Sequence, residues 1–243
     1  MSTQLTLNDA AKLLGLDSFD VNLAITGAAI DSRRVKKGNL FVAIVGDHTD
    51  GHHYISEARE AGASVALVST LQNDRLPQLV VSDVVKMFGK LAAYWRKQCN
   101  CKVVAVTGSN GKTTVKEMLA AILSQSHVAI ATEGNLNNNL GVPLSLFRIQ
   151  TDTDYAIIEM GANHAGEIAE LVQLACPTVS LINNVSEVHI EGFGSIEGVV
   201  EAKSEIFSSL PSDGVGVFNA DMNYSQYWNN VLKEQRSLSF GLN

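Results

Sequence analysis

The sequence predicts an α/β protein with a mixed α/β domain followed by a phosphate-loop domain built on a largely parallel sheet. Short apolar runs rich in Val and Ile alternate with stretches of helical period, which is the pattern of strands covered by helices. A glycine-rich turn joins one of those runs to a helix. With 243 residues, 46% of them hydrophobic, the chain has enough apolar surface for more than one core.

Taken in order, Leu40-Phe-Val-Ala-Ile-Val45, Ser64-Val-Ala-Leu-Val68 and Leu79-Val-Val81 read as strands, with a helix from His53 to Ala61 between the first two. From Val85 to Gln98, residues Met87, Phe88, Leu91, Ala92 and Trp95 fall on one face of a helix. The polar and cysteine-containing segment Lys97-Gln-Cys-Asn-Cys-Lys102 then precedes a strongly apolar strand, so the domains are expected at 1–98 and 99–243. The second opens with strand Lys102–Thr107, a Gly-rich turn and a helix from Lys112 to Ser124. Strands follow at 155–158, 179–182 and 214–218, and helices near 165–175 and 195–210. The end, Ser237-Leu-Ser-Phe-Gly-Leu-Asn243, closes on a strand without a capping helix, and the second domain is expected to be incomplete there.

Charge and cysteine content exclude several classes. The net charge of −7 is spread without a long run of either sign, so no basic footprint for nucleic acid or an anionic membrane exists. No segment approaches the roughly 18 uncharged apolar residues of a membrane span, and the N-terminus lacks a basic region followed by an apolar one. Cys99, Cys101 and Cys176 are odd in number and lack zinc or redox spacing. These features give the expectation of a cytoplasmic protein with free thiols, no membrane insertion and no nucleic-acid partner; a monomer is expected, although composition does not fix the oligomeric state.

The strongest chemical signal is Thr107-Gly-Ser-Asn-Gly-Lys-Thr-Thr114 between a buried strand and a helix. Gly108 and Gly111 let the backbone wrap a phosphate while N–H groups of Ser109, Asn110 and the helix start, with Thr114 in its first turn, point at it. In such a loop Lys112 reaches the β and γ phosphates, and the Thr113 hydroxyl binds Mg²⁺. The strict pattern requires Gly where Val106 stands, so this is a shorter variant beginning at Gly108. The plain alternative is a glycine-rich turn that merely starts a helix.

Three further residues have the chemistry of metal-assisted phosphoryl transfer. Glu159 follows the apolar strand 155–158 at its C-terminal end, where open α/β sheets bind ligands, and otherwise reads as a solvated strand-end acid. His189 lies in a loop beyond another strand and alone reads more readily as structural. Lys203 stands four residues from Val199 and Phe207, beside an apolar stripe. A buried lysine loses its proton more easily, and the neutral amine reacts with carbon dioxide to give an anionic carbamate. The pattern by itself favours a stem along the core with its ammonium at the surface.

In this order the motifs resemble the Mur ligases, ATP-dependent amide-forming enzymes of bacterial cell-wall synthesis. The resemblance spans the chain and rests on Asp31-Ser-Arg33, Gly38-Asn-Leu-Phe-Val-Ala43, Asp50-Gly-His52, the phosphate loop, Gly134-Asn-Leu-Asn-Asn-Asn-Leu-Gly-Val-Pro143, Glu159-Met-Gly-Ala-Asn163, His189-Ile-Glu-Gly-Phe-Gly-Ser195 and Ala202-Lys-Ser-Glu-Ile-Phe207. It implies a UDP-muramoyl-peptide-binding first domain, an ATP-binding central domain and a C-terminal domain absent here. It also implies the substrates UDP-N-acetylmuramoyl-tripeptide and D-alanyl-D-alanine, joined through an acyl phosphate. By resemblance, Thr113, Glu159, His189 and a carbamoylated Lys203 hold two Mg²⁺ ions, and Lys112, Lys203 and His189 are catalytic. Asn135, Asn138 and Asn139 then approach phosphate and substrate, while Asp31, Ser32 and Arg33 lie near the uridine nucleotide, where Arg33 pairs with a phosphate. The chain by itself is expected to bind without ligating. Three other readings stay open: a related amide ligase such as folylpolyglutamate synthase, a non-catalytic muramoyl-nucleotide-binding fragment, and a simple phosphate-loop kinase.

Overall fold

A computed structural model of the chain describes residues 5–187 and 190–242, in two compact units. The first comprises Met1–Cys99 and Leu146–Gln150. In it β1 (Leu5–Thr6) pairs antiparallel with β2 (Ala24–Ile25), and α1 (Leu7–Leu14) lies between them in sequence. A reciprocal cap starts α1: the Thr6 hydroxyl accepts from the Asp9 N–H at 3.2 Å, and the Thr6 N–H donates to the Asp9 carboxylate at 3.2 Å.

Strands β3 (Gly27–Ala29), β4 (Asn39–Val42), β5 (Val65–Val68) and β6 (Gln78–Val80) form a parallel sheet in that order. Every residue of β4 and β5 is buried, which is why both read as continuous apolar runs rather than alternating ones. The run expected to reach Val45 stops at Val42, because Val45 instead bridges antiparallel to Asp50 across a turn. The helix expected from His53 begins as a 3-10 turn over Gly51–Tyr54, capped by the Asp50 carboxylate, and becomes α2 (Ile55–Glu60). Helix α3 (Val84–Lys97) starts at Asp83, whose side chain accepts from the Lys86 N–H, and buries Phe88, Leu91, Ala92 and Trp95. The returning segment completes this core. Phe147 stacks on Phe88 with centroids 5.6 Å apart, and the Trp95 indole donates to the Ile149 carbonyl at 2.9 Å.

The second unit comprises Asn100–Ser145 and Thr151–Asn243. Its elements run β7 (Lys102–Thr107), α4 (Lys112–Leu123), β8 (Ala129–Ala131), α5 (Gly141–Leu146), β9 (Tyr155–Glu159), α6 (Glu167–Ala175) and β10 (Val179–Ile182). They continue with α7 (Ile190–Phe193), α8 (Ile196–Ser204), β11 (Val215–Asn219), α9 (Ser225–Val231) and β12 (Arg236–Phe240). The helix expected over 195–210 ends at Ser204 and tightens into a 3-10 turn, Glu205–Phe207.

All pairings in this sheet are parallel, in the order β12-β11-β10-β7-β9-β8. After β7 the chain builds one side with β8 and β9, then crosses to the other with β10, β11 and β12. The switch in direction therefore falls at β7, and the crevice beyond its C-terminal end is where such sheets bind ligands. Thr107, Glu159 and Ile182 end the three central strands in close register. Among the described residues no helix is long and apolar enough to cross a membrane.

Candidate active site

The loop after β7 turns into α4 at Gly111, whose φ of 72° is left-handed and open to glycine at little strain. Gly108 is required for a different reason: a Cβ there would overlap the Asn183 side chain, which closes against the loop from β10. Helix α4 has no side-chain cap, so the N–H groups of its first turn remain available to an anion.

The loop is fastened from the side by the segment after β10. Ser109 N–H donates to the Asn184 carbonyl at 3.0 Å, and Asn110 N–H to the Asn184 side-chain oxygen at 2.9 Å. The amides of Asn183 and Asn184 both donate to the Asn110 carbonyl, at 2.7 and 2.9 Å. Ser186 N–H donates to the Ser109 hydroxyl at 2.9 Å. The N–H groups of Ser109 and Asn110 are thus both bonded to Asn184 and not open to another acceptor.

Lys112 folds back along the loop, its ammonium donating to the Gly108 carbonyl at 2.9 Å. Partial burial lowers its pKa, and the charge of Glu159 opposes that shift. Glu159, at the end of β9, is 1% exposed. Its Oε2 accepts from the Thr113 hydroxyl at 2.9 Å, its Oε1 from the Asn137 amide at 2.8 Å, and its N–H donates to Thr132 Oγ1 at 3.0 Å. Lys116 Nζ stands 4.0 Å from Oε2.

Beyond the loop opens a cavity of about 540 Å³ lined by Gly108, Ser109, Lys112, Asn135, Asn138, Asn139 and Lys203, among others. Lys203, on α8, is 4% exposed, and burial together with the neighbouring Lys112 charge lowers its pKa to about 8. Glu167 also lines this cavity. Burial pushes its carboxyl up, but hydrogen bonds from the Asn163 N–H and from His164 outweigh that and hold it low.

The residues fit a nucleotide-bound Mg²⁺. Glu159 and Thr113 supply hard oxygen donors side by side at the start of α4, and magnesium characteristically takes one or two carboxylates together with phosphate oxygens.

The structure therefore gathers the loop residues 108–114, Glu159, Lys203, Asn135, Asn138 and Asn139 in one unit. Asn138 also accepts from the N–H groups of Leu140 and Gly141, so part of its capacity shapes its own turn. His189 lies outside the described residues. Asp31, Ser32 and Arg33 belong to the first unit, in a 3-10 turn over Ser32–Arg34. There Arg33 forks onto the Asp31 carboxylate at 2.9 and 2.7 Å, and Ser32 donates to Glu57 at 3.1 Å.

Sequence reasoning passed over Lys116, Thr132, Asn137, Asn183 and Asn184. Asn137 sits inside the amide-rich run that had been singled out, and alternation alone does not say which amide of that run meets the carboxylate.

Two family models match the chain: the Mur ligase middle domain over residues 106–243 and the Mur ligase family catalytic domain over residues 24–96. The chain is 44% identical over 238 residues to the UDP-N-acetylmuramoyl-tripeptide–D-alanyl-D-alanine ligase of Escherichia coli (strain K12), covering 98% of this chain and 53% of that protein. It is 43% identical to the enzyme of the same name from Haemophilus influenzae, covering 90% of this chain and 48% of that one. It spans about half the length of the curated relatives it matches. Among solved structures, MurF from Acinetobacter baumannii is similar at a TM-score of 0.87 and 34% identity, over 98% of this chain and 53% of that one. MurF ligase from Thermotoga maritima, solved in complex with ADP, is similar at a TM-score of 0.78 and 32% identity, over 88% of this chain and 50% of that one.

Proposed function

The chain belongs to the Mur ligase family, and from that premise we propose that it forms the nucleotide- and substrate-binding part of an ATP-dependent ligase joining D-alanyl-D-alanine to UDP-N-acetylmuramoyl-tripeptide. The observation that carries this reading is the buried Glu159 held against Thr113 at the mouth of the phosphate loop, with Lys112 and Lys203 facing the same cavity.

In this reading the terminal carboxylate of the UDP-linked tripeptide attacks the γ-phosphorus of ATP. The bond from that phosphorus to the bridging oxygen breaks, and ADP leaves. The amine of D-alanyl-D-alanine then attacks the acyl phosphate carbonyl, expelling phosphate as the amide forms. The N–H groups at the start of α4 orient the phosphates. Lys112 leaves the Gly108 carbonyl to follow charge onto the moving phosphoryl group. Glu159 and Thr113 would hold one Mg²⁺, and Glu159, His189 and a carbamate on Lys203 would hold a second. These ions supply neutralisation of the phosphate charge when bound. The lowered pKa of Lys203 supports the carbamate, because it raises the fraction of neutral amine near physiological pH. Asn135, Asn138 and Asn139 donate to phosphate and sugar oxygens, and the first unit holds the uridine nucleotide through Asp31, Ser32 and Arg33.

A calorimetric titration of the folded chain with UDP-N-acetylmuramoyl-tripeptide tests the reading. Saturable binding is expected. A chain that binds Mg-ATP yet ignores the muramoyl nucleotide would overturn the substrate assignment and leave a nucleotide-binding phosphate-loop domain.

A further inference from the structure

We propose that Lys116 is an internal counter-ion that keeps divalent metal off Glu159 until a nucleotide is bound. This rests on the reading of Glu159 as the metal-binding carboxylate. Glu159 is 1% exposed and Lys116 is 0% exposed, so both charges are buried. A carboxylate taken out of water requires a compensating charge nearby. Lys116 provides it at 4.0 Å, too far for a hydrogen bond, so the pairing is Coulombic.

The ammonium cannot swing aside to make room for a metal. Its protons go to the Thr132 carbonyl at 2.7 Å and the Gly134 carbonyl at 3.4 Å, and the Glu117 carboxylate stands 2.9 Å away as an ion pair. Two carbonyl acceptors and one paired carboxylate hold the ammonium in place. Thr132 also holds the Glu159 N–H, so charge and carboxylate are braced by one residue. A bare divalent cation approaching Glu159 therefore meets Lys116 on one side and Lys112, itself lining the cavity, on another. A nucleoside diphosphate or triphosphate brings negative charge that reverses this balance, and metal binding becomes conditional on the nucleotide.

The test is Mn²⁺ binding by the 243-residue chain at pH 8, read from the free-ion paramagnetic resonance signal with and without ADP. The unaltered chain is expected to bind Mn²⁺ weakly alone and tightly with ADP. Lys116→Met should tighten nucleotide-free binding by about tenfold or more, since it removes a like charge a few ångströms from the ion. Lys116→Arg, which keeps the charge, should behave as the unaltered chain, and adding Glu159→Gln to Lys116→Met should abolish the gain. A damaged fold does not produce tighter metal binding. Should Lys116→Met fail to fold, Lys116→Gln, which retains a donor for the Thr132 carbonyl, is expected to show the same gain. No gain in these variants, in a chain whose ADP-dependent Mn²⁺ binding is lost in Glu159→Gln, overturns the counter-ion role and leaves the metal assignment standing. ADP-dependent Mn²⁺ binding that survives Glu159→Gln overturns both.

Discussion

The Asn137 side chain donates to Glu159 Oε1 at 2.8 Å and so decides which way the buried carboxylate faces. Thr113 fixes the other oxygen at 2.9 Å, and the two donors together leave Glu159 a single orientation toward the phosphate loop. Groups that orient a metal ligand matter nearly as much as the ligand. Asn137→Ala is therefore expected to weaken Mg²⁺-dependent ADP binding by about 10-fold to 100-fold. Binding of ADP in chelator should change little, because Asn137 touches the carboxylate and not the loop. Equal losses with and without Mg²⁺ would show that Asn137 shapes the loop instead.

Lys112 donates to the carbonyls of its own loop, and the role proposed for it in transfer would require it to exchange them for phosphate oxygens. In the full-length enzyme, Lys112→Ala should lower kcat by about 10²–10³-fold or more, the scale of losing one preorganised charged donor at a transition state. Its circular dichroism spectrum and melting temperature should stay near those of the parent, since Gly108 and Ser109, whose carbonyls it releases, line the cavity. Substantial residual ligation would remove Lys112 from the transfer step.

The contrast between Lys112 and Lys116 shows how far the sequence could be read. Strand Lys102–Thr107, the two loop glycines and the start of α4 were legible because each is a local requirement: an apolar run, a left-handed turn, an uncapped helix start. Glu159 was legible as the carboxylate that follows an apolar strand at its C-terminal end. Lys116 was not, since four residues after Lys112 it reads as an ordinary solvated helix lysine. It is buried only because β8 and β9, distant in sequence, bring Thr132 and Glu159 over it. The return of Leu146–Gln150 to the first unit was likewise illegible, because stacking of Phe147 on Phe88 leaves no mark in local composition. Helix α1 was a missed signal rather than an absent one. Thr6 followed three residues later by Asp9 is a start motif that precedes an apolar pattern.

Arg33 is highly exposed and forks onto Asp31, whose carboxyl the arginine holds down at about 2. Asp31 is thus ionised across the working range, and any contribution of the pair to stability is present above its ordinary pKa and lost only as pH falls toward 2. Because the pair is on the surface, Arg33→Ala should leave the melting temperature at neutral pH essentially unchanged. If Arg33 meets the nucleotide diphosphate, the same variant should weaken UDP-N-acetylmuramoyl-tripeptide binding roughly tenfold, the worth of one charge-assisted hydrogen bond. Undiminished affinity by calorimetry would leave Arg33 as a surface ion pair alone.

Lys203 gives a pH dependence of the same sign in a much higher window. Its folded pKa is lowered from 10.5 to about 8 by burial and by Lys112, so between those values the unfolded chain carries a proton that the folded chain has lost. Stability contributed by this residue therefore rises with pH through that window, and below about 8 the folded state bears the burden of a buried ammonium. The shift corresponds to about 3 kcal/mol at full effect. Lys203→Met, similar in length and uncharged, should accordingly be more stable than the parent at pH 7, with the difference shrinking as pH is raised past 8 toward 10.5. Urea unfolding of both chains across that range measures it. In ¹³C-bicarbonate the parent, and not Lys203→Met, should also show a carbamate carbon resonance, since the neutral amine that relieves the burial burden is the species that captures carbon dioxide. A stability difference independent of pH would mean that the Lys203 ammonium reaches water in the folded chain, and the carbamate would lose its physical basis.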